Sequence, residues 1–167
     1  WRSFWETQRY SRNEERIAEV NYQIQSKNYQ YARELVAKMP DSKPKSLLLA
    51  KLDFSEGNVS SADKHINEYF ASNTKNIEAL ELKYAIKFAK SQYSEAFATA
   101  KSLLQLDRYN SANLLRCSDC SMALGNPLEA RRFVGEYLQC FPSDENALFL
   151  DVKYAMASQN KLDALVD

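Results

Sequence analysis

The feature that most limits what this chain can become is a spacing. Alanine stands at positions 62, 96, 130 and 164, an even step of 34, and Ala32 precedes Ala62 by a shorter step of 30. Leu80, Leu114 and Leu148 keep the longer step, and Pro142 has Pro44 three steps earlier. One unit, residues 111–144, shows what is being repeated. Leu114, Leu115, Cys117, Met122 and Ala123 form the apolar or small stripe of one helix, and Gly125 supplies the residue that commonly follows a helix end. Asn126 is placed to cap the next helix, and Pro127 suits its first turn, where a missing N–H costs nothing. Leu128, Ala130, Phe133, Val134, Tyr137 and Leu138 then mark a second stripe, which Pro142 stops. A helical hairpin cannot bury such stripes alone, so a fixed period of this content predicts stacked hairpins, an α-solenoid.

The five alanines, the leucine triplet, Tyr29 and Tyr93 three positions before their alanines, and the closing Pro44 and Pro142 carry a family likeness. On them the chain resembles the tetratricopeptide repeat family over roughly residues 13–167, most closely at 93–110. The resemblance implies an all-α, right-handed solenoid of helix-turn-helix repeats at 13–42, 43–76, 77–110, 111–144 and a partial 145–167. The chain departs from the family's pattern at several slots. Tyr84 and Val152 replace a small residue in the first helix, and Met39, Tyr69, Leu103 and Tyr137 replace an alanine late in the second. Thr74 and Arg108 stand in place of closing prolines. Helices are predicted near 13–26 and 29–39, 45–56 and 59–71, 76–90 and 93–106, with the fifth unit's second helix starting at Lys161. That helix is cut short at Asp167, which predicts either further chain beyond it or fraying.

Residues 1–12 fall outside the frame. Trp1, Phe4 and Trp5 alternate with Arg2, Arg9 and Arg12, a mixture that fits either rings capping the end of a solenoid or a juxtamembrane stretch. The missing initiator Met leaves room for an anchor upstream of Trp1, so membrane attachment on a cytoplasmic or periplasmic face is open alongside a cytoplasmic location. No apolar run of the length that spans a bilayer lies inside the chain. Charge balance, with 22 basic and 22 acidic residues, provides no field for nucleic acid. Asn58-Val59-Ser60 is a glycosylation sequon that matters only in a secretory setting.

Chemistry is sparsely represented. Cys117-Ser118-Asp119-Cys120 has the C-x-x-C spacing of redox and zinc sites, but it falls within a helix with no preceding strand and no second cysteine pair. Packed core thiols are the expected reading, and no metal or cofactor is expected. His65 is the single histidine; Asp63, Lys64 and Asn67 around it read as a solvated helix face. With no phosphate loop, HExxH or GxSxG, the chain is expected not to be an enzyme.

One further column repeats at steps of 30, 34, 34 and 34: Ile24, Phe54, Phe88, Met122 and Met156. The family resemblance places this slot, near the end of each first helix, on a concave peptide-binding groove. It places Leu47, Lys51, Glu81, Ala85, Leu115, Arg116, Asp119, Phe149 and Lys153 along the same surface. The residues themselves fit internal packing equally well. Asn21 and Arg116 match a carboxylate clamp known in the family, whereas Ile17 and Leu48 break it, so a chaperone tail is not the expected ligand. The expected function is a scaffold or adaptor binding a protein, peptide or helix. The alternative is an assembly module of a larger, membrane-anchored secretion or envelope complex. The sequence leaves oligomeric state open.

Overall fold

The computed structural model describes residues 3–166, and the described chain is 79% helical. It forms two compact units, one through Thr74 and one from Lys75 onward. In the first unit α1 (Phe4–Gln25) pairs with α2 (Tyr29–Ala37), and α3 (Lys43–Ser55) with α4 (Val59–Tyr69). The second runs α5 (Ile77–Ala89), α6 (Tyr93–Leu106), α7 (Ala112–Ala123), α8 (Pro127–Cys140) and α9 (Glu145–Val166), each after α5 packed on the one before. This is the all-α hairpin-repeat architecture of a solenoid.

Four hairpin turns are one structure. Lys27, Gly57, Ser91 and Gly125, spaced 30, 34 and 34, all take positive φ, between 59° and 84°. In each, the next residue's N–H reaches the carbonyl five back, as Asn126 does to Ser121 at 2.9 Å. The positive-φ residue itself bonds three back, Gly125 to Met122 at 3.0 Å. This double bond closes orphan carbonyls at a helix end and demands a left-handed residue. Glycine meets that demand in two copies, while Lys27 and Ser91 adopt it with the steric cost of a Cβ.

The junctions between hairpins repeat too. Ser42, Asn76, Asn110 and Asp144, each 34 apart, accept a backbone N–H from two or three positions on, at 3.4, 3.1, 3.2 and 3.1 Å. Side-chain oxygens here satisfy donors that a helix start leaves unpaired.

Both columns explain where the helices depart from the sequence-based expectation. The cap slot one short step before Ser42 holds Arg12, which cannot accept. The first helix therefore runs through the expected start near 13 and begins at Phe4, where Ser3 and Glu6 form a reciprocal capping box. The turn slot after Gly125 falls on Gln159, inside an uninterrupted α9. The helix break expected before Lys161 is absent, and one long helix spans the place of two. α2 ends at Ala37, ahead of the expected 39.

Alanine marks the closest helix approaches. Ala32, Ala62, Ala96 and Ala130 are fully buried, and Ser118 of α7 donates to the Ala130 carbonyl at 2.9 Å, a contact a larger side chain would block. Ala164 is exposed, because α9 has no second helix of a hairpin against it among the described residues. In the first unit Val20, Val36, Leu48 and Leu52 form the core around Ala32, each such side chain worth about 1.5–3 kcal/mol of burial. In the second, Ala100, Cys117 and Phe133 make one cluster, and Ala130, Val134, Ala147 and Tyr154 another. No described helix is long and apolar enough to cross a membrane.

Candidate protein-binding surface

α5, α7 and α9 lie side by side in the second unit. Arg116 of α7 bonds Glu81 of α5 at 3.0 Å and Asn113 at 2.6 Å, and its carbonyl accepts from Tyr84 at 3.4 Å. Asn113 is itself fully buried and donates to the Leu103 carbonyl at 3.3 Å. Tyr154 of α9 packs with Leu115 and Met122 of α7. Two of the residues placed on one surface from sequence, Glu81 and Arg116, are thus joined in an ion pair, half-buried and fixed in orientation by Asn113. Asp119 is exposed on α7, and packing around its base raises its carboxyl above the ordinary value. Lys153 is exposed on α9. In the first unit Lys51 donates to Asn21 at 3.1 Å, another pair from that surface.

The apolar column divides. Ile24 is half-buried against the first core, and Met122 half-buried against the α8–α9 cluster. Phe88 is half-buried between the rings of Tyr84 and Tyr93, at centroid distances of 5.7 and 5.2 Å. Phe54 is half-buried, as is Ala85, and Leu47 is buried. Met156, by contrast, is 63% exposed, with Phe149 at 67% and Val152 at 60% on the same helix. These three lie at i, i+3 and i+7, one face of α9.

His65 needs a correction. It does not sit on a solvated face: Asp63 is buried, and His65 is half-buried with Nδ1 3.2 Å from Glu68 and Nε2 3.6 Å from Asp53. Asp53, only 3% exposed, takes Arg33 at 2.6 Å and the Ser61 hydroxyl at 2.6 Å. Arg33 continues to Glu56 at 3.0 Å, and the Asp53 hydrogen bond is the largest cause that raises its guanidinium pKa. The serine donates to the aspartate itself, so the group ties α2, α3 and α4 together as a structural network. Spacing of 30, 34 and 34 puts Gln23, Asp53, Lys87 and Ser121 in one buried slot beside the turn, each satisfied differently. Sequence reasoning missed this column because its members share polarity and no residue type.

Cys117 and Cys120 are fully buried. Burial pushes their thiols up to about 12 and about 11, which disfavours the thiolate that redox or metal chemistry requires. Among the described residues no group of three His, Cys, Asp or Glu side chains could hold a metal.

Residues 87–148 match the tetratricopeptide repeat. A solved structure titled MamA MSR-1 C2 superposes with a TM-score of 0.63 over 89% of this chain and 95% of that one, at 14% identity. No curated protein matches the sequence. Residues 87–148 thus carry the tetratricopeptide repeat, and they do so within an all-α solenoid fold. Proteins built on this repeat generally serve as scaffolds for protein–protein interaction and are generally non-enzymatic.

Proposed function

We propose that the second unit binds a protein segment along the face shared by α5, α7 and α9. The observation that carries this is the pair of exposed apolar side chains Phe149 and Met156 on α9. Beside it stand the oriented Arg116–Glu81 pair and the exposed charges of Asp119 and Lys153. An amphipathic helix would lay its apolar side on the α9 pair and turn its charged edge towards Arg116 and Asp119. Phe88 and Met122 fit the margins of that surface, because each is half-buried against its own unit, while the half-buried Ile24 and Phe54 would contribute to a surface of the first unit. Lys51 in the first unit would contribute charge to its own surface.

The test uses photocrosslinking amino acids at Phe149 and Met156, with Lys101 on the exposed side of α6 as the comparison, in cells that make the protein. The proposal expects one shared partner from 149 and 156 and none from 101. Equal crosslinking from all three positions, or none from the α9 pair, would contradict it. Phe149→Asp with Met156→Lys should leave the melting midpoint nearly unchanged and weaken capture of that partner by about tenfold or more, as for loss of an aromatic anchor.

A further inference from the structure

α1 is 22 residues long, but the α2 that packs on it has only nine. The first half of α1 therefore overhangs its partner. On the face that carries Val20 and Gln23 into the core, the overhang presents Trp5, Arg9, Arg12 and Arg16. These lie at i, i+4, i+7 and i+11, one continuous stripe. With Pro40, just past the end of α2, they line a cleft of about 810 Å³. The stripe sits about 100° around the helix axis from Ile17, Asn21 and Ile24, by the helical repeat of 3.6. It is therefore a different face of α1 from the one that carries Ile24.

The arginines are exposed, and no carboxylate among the described residues pairs with them. Glu6, the acid on the rim, is already engaged by the Ser3 N–H at 3.0 Å. Trp5 is 74% exposed, its ring edge-to-face with Phe4 and covering no core. A cleft with three such guanidinium groups excludes several occupants. An apolar helix would bury charges without partners. A second copy meeting the same face would set arginine against arginine. A bilayer cannot enter a cleft, and Glu14, Glu15 and Glu19 of α1 offset the stripe's attraction for a flat anionic surface. The same acids oppose a long polyphosphate backbone.

We propose that this cleft binds an acidic peptide segment in extended conformation, with an aromatic or proline residue against Trp5 and Pro40 and carboxylates on the arginines. The spacing agrees. Three to four residues of helix advance about 4.5–6 Å, and two residues of an extended strand about 6.6 Å. Carboxylates at every second position therefore stay within side-chain reach of Arg9, Arg12 and Arg16, each able to take one in a bidentate pair.

The experiment measures binding, by fluorescence anisotropy on the full chain, of a labelled peptide with one phenylalanine followed by glutamates at alternate positions with serines between. The expected result is saturable binding that weakens with added salt. It should fall tenfold or more with Arg9→Ala/Arg12→Ala, by a smaller factor with Arg12→Lys, and below detection when glutamine replaces glutamate. Circular dichroism checks that the exposed substitutions leave the helices intact. Unchanged affinity in the double-alanine variant would overturn the proposal. So would arginine-dependent binding to phosphatidylserine vesicles or to a single-stranded oligonucleotide in the absence of peptide binding.

Discussion

α7 and α9 are two copies of one helix in different surroundings. Ser118 in α7 is fully buried and bonded to α8, while Val152, the same slot one repeat on, is 60% exposed. Met122 is half-buried and Met156 is 63% exposed. Cys120 and Tyr154, in the slot facing back along the unit, are both buried. A helix in a repeat array acquires its core from two neighbours, and α9 has only the earlier one among the described residues. The larger and more apolar side chain is therefore found at the exposed copy, the reverse of what burial alone would dictate.

The largest expected separation between the two copies comes from the alanine column. Ala130→Leu overpacks a fully buried contact and should cost about 1–3 kcal/mol. That lowers the melting midpoint by about 2–4 °C for each kcal/mol in a chain of this size. Ala164→Leu, on exposed helix, should leave the midpoint within experimental scatter. Comparable losses would mean that Ala164 is covered as its counterparts are.

Alkali should act through the thiols of α7. Their pKa values lie above the unfolded reference, so the folded state holds protons that the unfolded state releases. Stability is full below about pH 9 and falls as pH rises towards 11 and 12, with a slope of at most about 1.4 kcal/mol per pH unit for each thiol. Replacing Cys117 and Cys120 with alanine and serine should flatten a urea-midpoint profile over that range, at some cost in packing at neutral pH. An unchanged profile would show that those thiols titrate normally.

Turn substitutions should give smaller effects of opposite sign. Gly125 has positive φ with open space where a Cβ would stand, so Gly125→Ala meets no neighbour but strains its own left-handed backbone, at a cost of about 1–2 kcal/mol. Ser91→Gly and Lys27→Gly remove a strain that glycine does not feel and should stabilise by up to about 1 kcal/mol. Gln159→Gly stands in helix and should destabilise by about 1 kcal/mol, with loss of ellipticity. Stabilisation by Gln159→Gly would indicate that α9 bends there as its counterparts do.

The period made the hairpins and the buried alanines legible, because close helix contact admits few residue types. Turn geometry at Gly57 and Gly125 was readable for the same reason. Lys27 and Ser91 were not, since the surrounding hydrogen bonds impose a conformation their own preferences oppose. The cap column Ser42, Asn76, Asn110 and Asp144 was readable in principle, being four short acceptors in register. Its vacancy at Arg12 is the signal that α1 begins earlier. Exposure within the apolar column was beyond reach, because Met122 and Met156 are the same residue in the same slot and differ only in what packs beside them. The Arg116–Glu81 contact was likewise not legible as a pair, since it joins positions 35 apart across two hairpins.

Thiol accessibility at a single repeated slot tests this account most directly. Ser118→Cys and Val152→Cys, each in a Cys140→Ser background that removes the exposed native thiol, differ only in the helix beside them. Under a disulfide reagent at neutral pH, the thiol at 152 should react at the rate of an unstructured peptide. The thiol at 118 should react about a hundredfold more slowly or less, through local opening. Equal rates at the two positions would contradict the assignment of one slot to a covered and an uncovered copy.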